Sequence, residues 1–114
     1  MIANKVKYVA EAANMPTTLE ATNLLLKNNV LIGPAKAVNA GGVAVSGLEM
    51  SQNSMRMAWT QEQVDEKLKN IMKNIFTTCY TTAEEYNAKG NLIIGANIAG
   101  FVKVANAMMA QGLV

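Results

Sequence analysis

The spacing of apolar positions changes along the chain, and the changes mark out the elements. Residues 6–10 form a short apolar run with β-branched and aromatic members, which predicts a buried strand ending at the polar step Glu11-Ala12-Ala13-Asn14. Pro16 interrupts the pattern, and Thr17-Thr18-Leu19-Glu20 reads as a capping box that opens a helix. This helix is expected to turn Leu19, Leu24, Leu25 and Leu26 inward. It should stop at Asn28-Asn29, residues that tolerate the left-handed conformation. Val30-Leu31-Ile32 predicts a second strand, closed by Gly33-Pro34. Residues 6–32 therefore spell strand, helix, strand, the order of a right-handed crossover between parallel strands.

Helices dominate from there on. Asn39 is the expected N-cap of the next one, with Gly41-Gly42 allowing another group to approach the backbone closely. Val43, Gly47, Met50 and Ser54 recur every three or four residues down that helix, and Ser46 lies one turn from Val43 on the same side. Two readings stay open: a face of small residues that packs against a neighbour, or an apolar group and a hydroxyl presented to one ligand. A helix start of this kind favours a polar or anionic guest through its free N–H groups and its dipole.

Thr60-Gln61-Glu62-Gln63 is a second capping box. Val64, Leu68, Ile71, Met72, Ile75, Phe76 and Cys79 then follow at helical spacing, opposite a solvated face of Glu62, Asp65, Glu66, Lys69 and Lys73. Residues 87–90 read as a linker. The last helix is expected over residues 96–111, with Ile98, Phe101, Val102, Ala105, Met108 and Met109 on one broad apolar face and Gly112 as C-cap.

Composition narrows the function classes. A chain of 114 residues fits one small domain or a piece of one, and 51% hydrophobic with 16% charged residues excludes disorder. A net charge of +2 without a basic stripe argues against a nucleic-acid partner. So many apolar residues in so short a chain imply hydrophobic faces that await a partner. The absence of histidine removes the commonest general base and the usual zinc ligand, so no metal site is expected. Cys79, alone and at core spacing, reads as a buried thiol. The longest apolar run, residues 92–102, contains Asn97 and is too short to span a bilayer. With no leader-like opening, the expectation is a cytoplasmic chain with no membrane partner. Two parallel strands do not make a free-standing sheet, so the chain is expected to be a piece of a larger α/β domain.

Three motifs carry a resemblance: ANMPTT at residues 13–18, PAKAVNAGGVAVSGLEMSQNS at 34–54 and GANIAGFVKVANAMMAQG at 95–112. In this order and spacing they resemble the C-terminal quarter of the hexameric, small-subunit class of glutamate dehydrogenases, and the likeness covers nearly the whole chain. The resemblance implies an α/β fragment that is mostly helical. Residues 1–38 would hold the last strands of a Rossmann-like dinucleotide-binding domain, and residues 39–114 a helical segment returning to the substrate domain. It implies the reversible oxidative deamination of glutamate to 2-oxoglutarate and ammonia with NAD or NADP, in an enzyme that self-associates.

By the same resemblance, Asn14 and Asn39 are coenzyme contacts near the nicotinamide, with Gly41 and Gly42 close to the bound cofactor. Ser46 donates to the side-chain carboxylate of glutamate and Val43 walls the same pocket. A pocket hydroxyl of this kind selects an acidic over an aliphatic amino acid. One departure stands out: the family usually writes Glu-Gly-Ala-Asn where this chain has Glu11-Ala12-Ala13-Asn14. A glycine needed for its conformational freedom would make Ala12 a disturbance of the Asn14 contact. The family's catalytic lysines and aspartate have no counterpart here, and no G-x-G-x-x-G phosphate loop occurs. No catalytic residue is therefore expected in this chain, and the isolated polypeptide is expected to be inactive. The alternative is a non-enzymatic helical oligomerisation module that keeps the fold remnant.

Overall fold

Two three-residue strands, β1 (Tyr8–Ala10) and β2 (Leu31–Gly33), pair in parallel in the computed structural model, which describes residues 1–112. Tyr8 faces Leu31, Val9 faces Ile32 and Ala10 faces Gly33. The ladder continues past both ends: Leu31 N–H donates to the Lys7 carbonyl at 2.9 Å, and Glu11 N–H to the Gly33 carbonyl at 3.0 Å. A 3-10 turn, Ile2–Asn4, precedes β1.

Helix α1 (Leu19–Lys27) connects the strands and differs from expectation at its start. Thr18, in an extended conformation, is the N-cap, and its hydroxyl accepts from Ala21 N–H at 3.3 Å. The residue at N3 is thus Ala21, which has no side chain to reciprocate, so the box expected of Thr17 and Glu20 does not form. Leu25 is buried with Val30 and Ile32, and Ile2, Val9, Leu26 and Ile93 pack around them. Leu19 and Leu24 are exposed instead of inward. At roughly 100° per residue they lie on either side of the stripe that Leu25 defines. The helix stops at Asn28, and Asn29 takes the left-handed conformation at φ 56°.

A short helix missed by periodicity, α2 (Ala35–Val38), follows Pro34 and leads through Asn39 into α3 (Ala40–Met55). Asn39 stands at the N-cap position of α3 but makes no capping bond, because its backbone is already helical (φ −75°, ψ −9°) and its side chain is engaged elsewhere. Gly41 and Gly42 fall inside the first turn of α3. No residue of α3 is buried.

Helix α4 (Gln61–Glu85) opens as its sequence predicts. The Thr60 hydroxyl accepts from Gln63 N–H at 3.3 Å, and Thr60 N–H donates to Gln63 Oε1 at 2.9 Å. Such a cap contributes about 1 kcal/mol. Glu62, in the first turn, is held below the usual carboxylate range by a backbone N–H and by the Thr60 hydroxyl.

The last helix, α5 (Leu92–Gln111), begins four residues earlier than expected, because Asn91 caps it by accepting from Ile94 N–H at 3.1 Å. It ends at Gly112, φ 77°, as expected. Leu92, Ala96 and Cys79 form a second buried cluster, joined by Ala37 and Ile75. A Cβ built on Gly95 would lie 1.9 Å from the Cys79 carbonyl oxygen, so glycine is what lets α5 lie against α4. Packing crosses the chain order here, since Ala37 joins the α4–α5 cluster while Ile93 joins the sheet cluster.

With its true start, α5 is long and apolar enough to cross a membrane by length and composition, which corrects the shorter run read from sequence. Yet its first turns lie against α4 and the sheet cluster, while Phe101, Val104, Met108 and Met109 stay exposed. The accessible surface, 8685 Å², exceeds the roughly 6,100 Å² expected of a compact monomer of this mass.

Candidate functional site

The candidate site is built where the end of β1 meets the turn into α3. Beyond Ala10 the chain runs through Glu11 to Asn14, and beyond Gly33 it runs through Pro34 and α2 to Asn39. Parallel pairing of β1 with β2 sends both segments out from the same end of the sheet. Asn39 Nδ2 donates to Asn14 Oδ1 at 2.7 Å and to the Ala13 carbonyl at 3.3 Å. The two asparagines singled out as coenzyme contacts are therefore one hydrogen-bonded pair.

This pairing fixes the orientation of both amides. A carbonyl accepts only, so the Asn39 group facing Ala13 must be its NH2, and Asn14 must then turn its oxygen towards Asn39. Among the described residues, neither the Asn14 NH2 nor the Asn39 oxygen hydrogen-bonds a protein group, so the pair keeps both donor and acceptor capacity. A primary carboxamide presents the matching acceptor and donor, so the residues present fit the nicotinamide end of a coenzyme. Ala12 is not among the residues with positive φ, so the departure from the family's glycine does not strain the backbone before Asn14. The left-handed residue in this loop is instead Met15, at φ 49°.

Gly41 and Gly42 lie on α3 immediately after the pair. Nothing stands within 4 Å of a Cβ built on Gly42, whereas Gly41 would meet only Met72 Sδ at 3.6 Å. The space over Gly42 is open. Val43 and Ser46 follow at helical spacing, both exposed, with Val43 at 77%. The Ser46 hydroxyl donates to the Gly42 carbonyl at 3.2 Å, a local bond it can exchange for an external acceptor without leaving a buried group unpaired. A shallow groove of about 540 Å³ continues down the same helix along Gly47, Met50, Ser51, Ser54 and Met55. The face predicted from the recurrence of Val43, Gly47, Met50 and Ser54 thus looks outward, and among the described residues no neighbour buries it.

Two other features lie away from these residues. An apolar cavity of about 120 Å³ sits between α2 and the α4–α5 pair, lined by Pro34, Val38, Met72, Ile75, Phe76 and Cys79 among others. Burial pushes the Cys79 thiol up, against a weaker opposing pull from its backbone hydrogen bond, so the thiol stays protonated and inert. Among the described residues no group of three His, Cys, Asp or Glu is placed to hold a metal ion.

Sequence reasoning missed three residues that organise this region. The Glu11 carboxylate accepts from Ala35 N–H at 3.0 Å, and the Lys36 ammonium hydrogen-bonds Asn97 Oδ1, tying α2 to α5. Both contacts span distant parts of the chain, so no local pattern announces them.

The family profile described as glutamate/leucine/phenylalanine/valine dehydrogenase matches residues 1–112. The chain belongs to this dehydrogenase family. An NADP-specific glutamate dehydrogenase of Giardia intestinalis is 58% identical over 109 residues, covering 96% of this chain and 24% of that protein. An NAD-specific glutamate dehydrogenase of Clostridium symbiosum is 55% identical over 114 residues, covering 99% of this chain and 25% of that protein. A solved structure of a glutamate dehydrogenase superposes with a TM-score of 0.93 at 55% identity, over 99% of this chain and 25% of its own. The chain spans about a quarter of the length of the curated relatives it matches. Its fold is that of the corresponding part of these dehydrogenases, mostly helical with a small parallel sheet.

Proposed function

We propose that this chain forms the seam between coenzyme and substrate pockets in an NAD- or NADP-dependent glutamate dehydrogenase, which interconverts glutamate with 2-oxoglutarate and ammonia. The observation that carries this reading is the Asn14–Asn39 bond at the head of α3, with Val43 and Ser46 exposed on the next turns of the same helix. On this reading residues 1–38 are the end of a Rossmann-like coenzyme domain, and residues 39–114 are the helical segment that returns to the substrate domain.

The work of this chain is binding and orientation. Asn14 and Asn39 hold the carboxamide end of the coenzyme, and Gly42 lets it approach the backbone. Val43 gives the substrate an apolar wall, while Ser46 turns its hydroxyl from the Gly42 carbonyl to the distal carboxylate of glutamate. The coenzyme, when bound, accepts the hydride from the substrate. Acid–base groups come from the substrate domain, so this chain by itself supports no turnover. The surplus accessible surface supports further contact with other dehydrogenase surfaces, including association of subunits through the exposed apolar faces of α3 and α5.

The test places this chain in the corresponding quarter of the Clostridium symbiosum enzyme and compares glutamate with norvaline, which lacks the distal carboxylate. Ser46→Ala is expected to lower kcat/KM for glutamate by about tenfold or more, as loss of a hydrogen bond to a charged group does, and to leave norvaline nearly unchanged. An unchanged kcat/KM for glutamate refutes the assignment of Ser46.

A further inference from the structure

We infer that Glu11 is a positioning residue that sets the Asn14–Asn39 pair, a role that rests on the reading of that pair as a coenzyme contact. The inference starts from a gap in local structure. Helix α2 follows Pro34, which has no side-chain acceptor to cap it, and the helix is too short to order itself. The acceptor comes from the residue just past β1: Glu11 Oε2 takes the N–H of Ala35, the first residue of α2, at 3.0 Å. Glu11 is itself anchored, since its backbone N–H donates to the Gly33 carbonyl at 3.0 Å and extends the parallel ladder.

Two adjacent segments are thereby closed into a ring. At one end Glu11 grips Ala35, and at the other Ala13 and Asn14 accept from Asn39. Segment 11–14 lies along segment 35–39, with bonds at both ends, so α2 cannot swing without breaking one of them. Asn39 comes one turn after Ala35, and its amide reaches Asn14 only while that turn stays in place. Glu11 touches neither coenzyme nor substrate on this reading. It acts through α2, and what it requires is a hydrogen-bond acceptor at the right reach, so Glu11→Gln keeps the function while Glu11→Ala loses it.

The first measurement uses the full chain, isotope-labelled, and follows the Ala35 amide and the side-chain amides of Asn14 and Asn39 by nuclear magnetic resonance. In Glu11→Ala the Ala35 amide is expected to exchange about tenfold faster, the scale of one lost hydrogen bond, and the asparagine signals to move to the free-amide position. Glu11→Gln is expected to leave both near the parent values. Faster exchange at Ala35 with unmoved asparagine signals would show that Glu11 caps α2 without setting the pair, and overturns the inference.

The second measurement uses the Clostridium symbiosum chimera and does not depend on the stability of the free chain. Glu11→Ala is expected to raise the coenzyme KM about tenfold with kcat changed less than about twofold, and Glu11→Gln to restore it. A fall in kcat shared by both variants, with KM unchanged, refutes positioning. The Ser46→Ala result above is read separately, so a failed substrate pocket and a failed Glu11 role are distinguishable.

Discussion

Helix α5 and helix α3 are both rich in small and apolar residues, yet one is locked into the molecule and the other lies open on it. In α5, Gly95 sits so close to α4 that no side chain fits, and its neighbours Leu92 and Ala96 are buried with Cys79. In α3, a Cβ built on Gly42 or Gly47 meets nothing within 4 Å, and no residue of the helix is buried. Glycine thus serves two ends: a helix crossing in the first case, room for a ligand or another protein surface in the second. Composition does not separate the two, whereas the neighbour each glycine meets does.

Substituting the two glycines is the sharpest way to break this contrast. Gly95→Val drives a side chain into the α4 backbone and is expected to destabilise the chain by about 3 kcal/mol or more, read as a large fall in the thermal midpoint. An unchanged midpoint would mean that the α4–α5 crossing is not tight. Gly42→Ala adds a methyl group to an open helix surface and removes the entropic cost of glycine, so stability is expected to rise by about 1 kcal/mol. In the chimera the same substitution is expected, on the proposed reading of Gly42 as a coenzyme contact, to weaken coenzyme binding, because the methyl group enters the open space over α3. Higher stability with unaltered coenzyme affinity would show that Gly42 lines no binding surface.

The smallest effect concerns the thiol in the buried seam. Burial raises the Cys79 thiol above its ordinary value of 9.0, so the folded state favours the protonated form. Its stabilising contribution is complete below that ordinary value and is lost as the pH rises through the raised folded one. Denaturant titrations of the chain and of Cys79→Ala are therefore expected to draw closer together as the pH climbs past about 9. A gap that stays constant to higher pH would show that the thiol is not held in a desolvated place.

The contrast between α5 and α3 also marks how much could be read in advance. Helix α4 was legible because its signals are local: Thr60 and Gln63 satisfy each other's backbone across three residues, and the apolar stripe repeats with the helical turn. The parallel pairing of β1 and β2 followed from strand, helix and strand in sequence. Leu19 and Leu24 were misjudged because a leucine-rich stretch does not reveal which side of the helix meets the sheet. The start of α5 is expected too late because residues 92–95 read only as part of an apolar run, and the cap, Asn91, lies just past the linker at 87–90 with no capping signal of its own in the pattern. Ligand roles for Asn14, Asn39, Val43 and Ser46 came through family resemblance, since periodicity alone left α3 open to a packing role.

By itself the sequence determined the order of the two strands and the four longer helices, the caps at Thr60 and Gly112, the buried character of Cys79 and the dehydrogenase family. Each of these depends on neighbours a few residues apart or on motifs that survive as written. Only the tertiary structure decided that Asn14 and Asn39 bond to each other, that Glu11 supplies the cap Pro34 lacks, and that Gly95 rather than Gly42 is the point of closest packing. These contacts join residues 16 to 25 positions apart, and such distances are closed by the fold as a whole: parallel pairing brings two loops out at one end of the sheet, and the α4–α5 crossing leaves room for glycine alone.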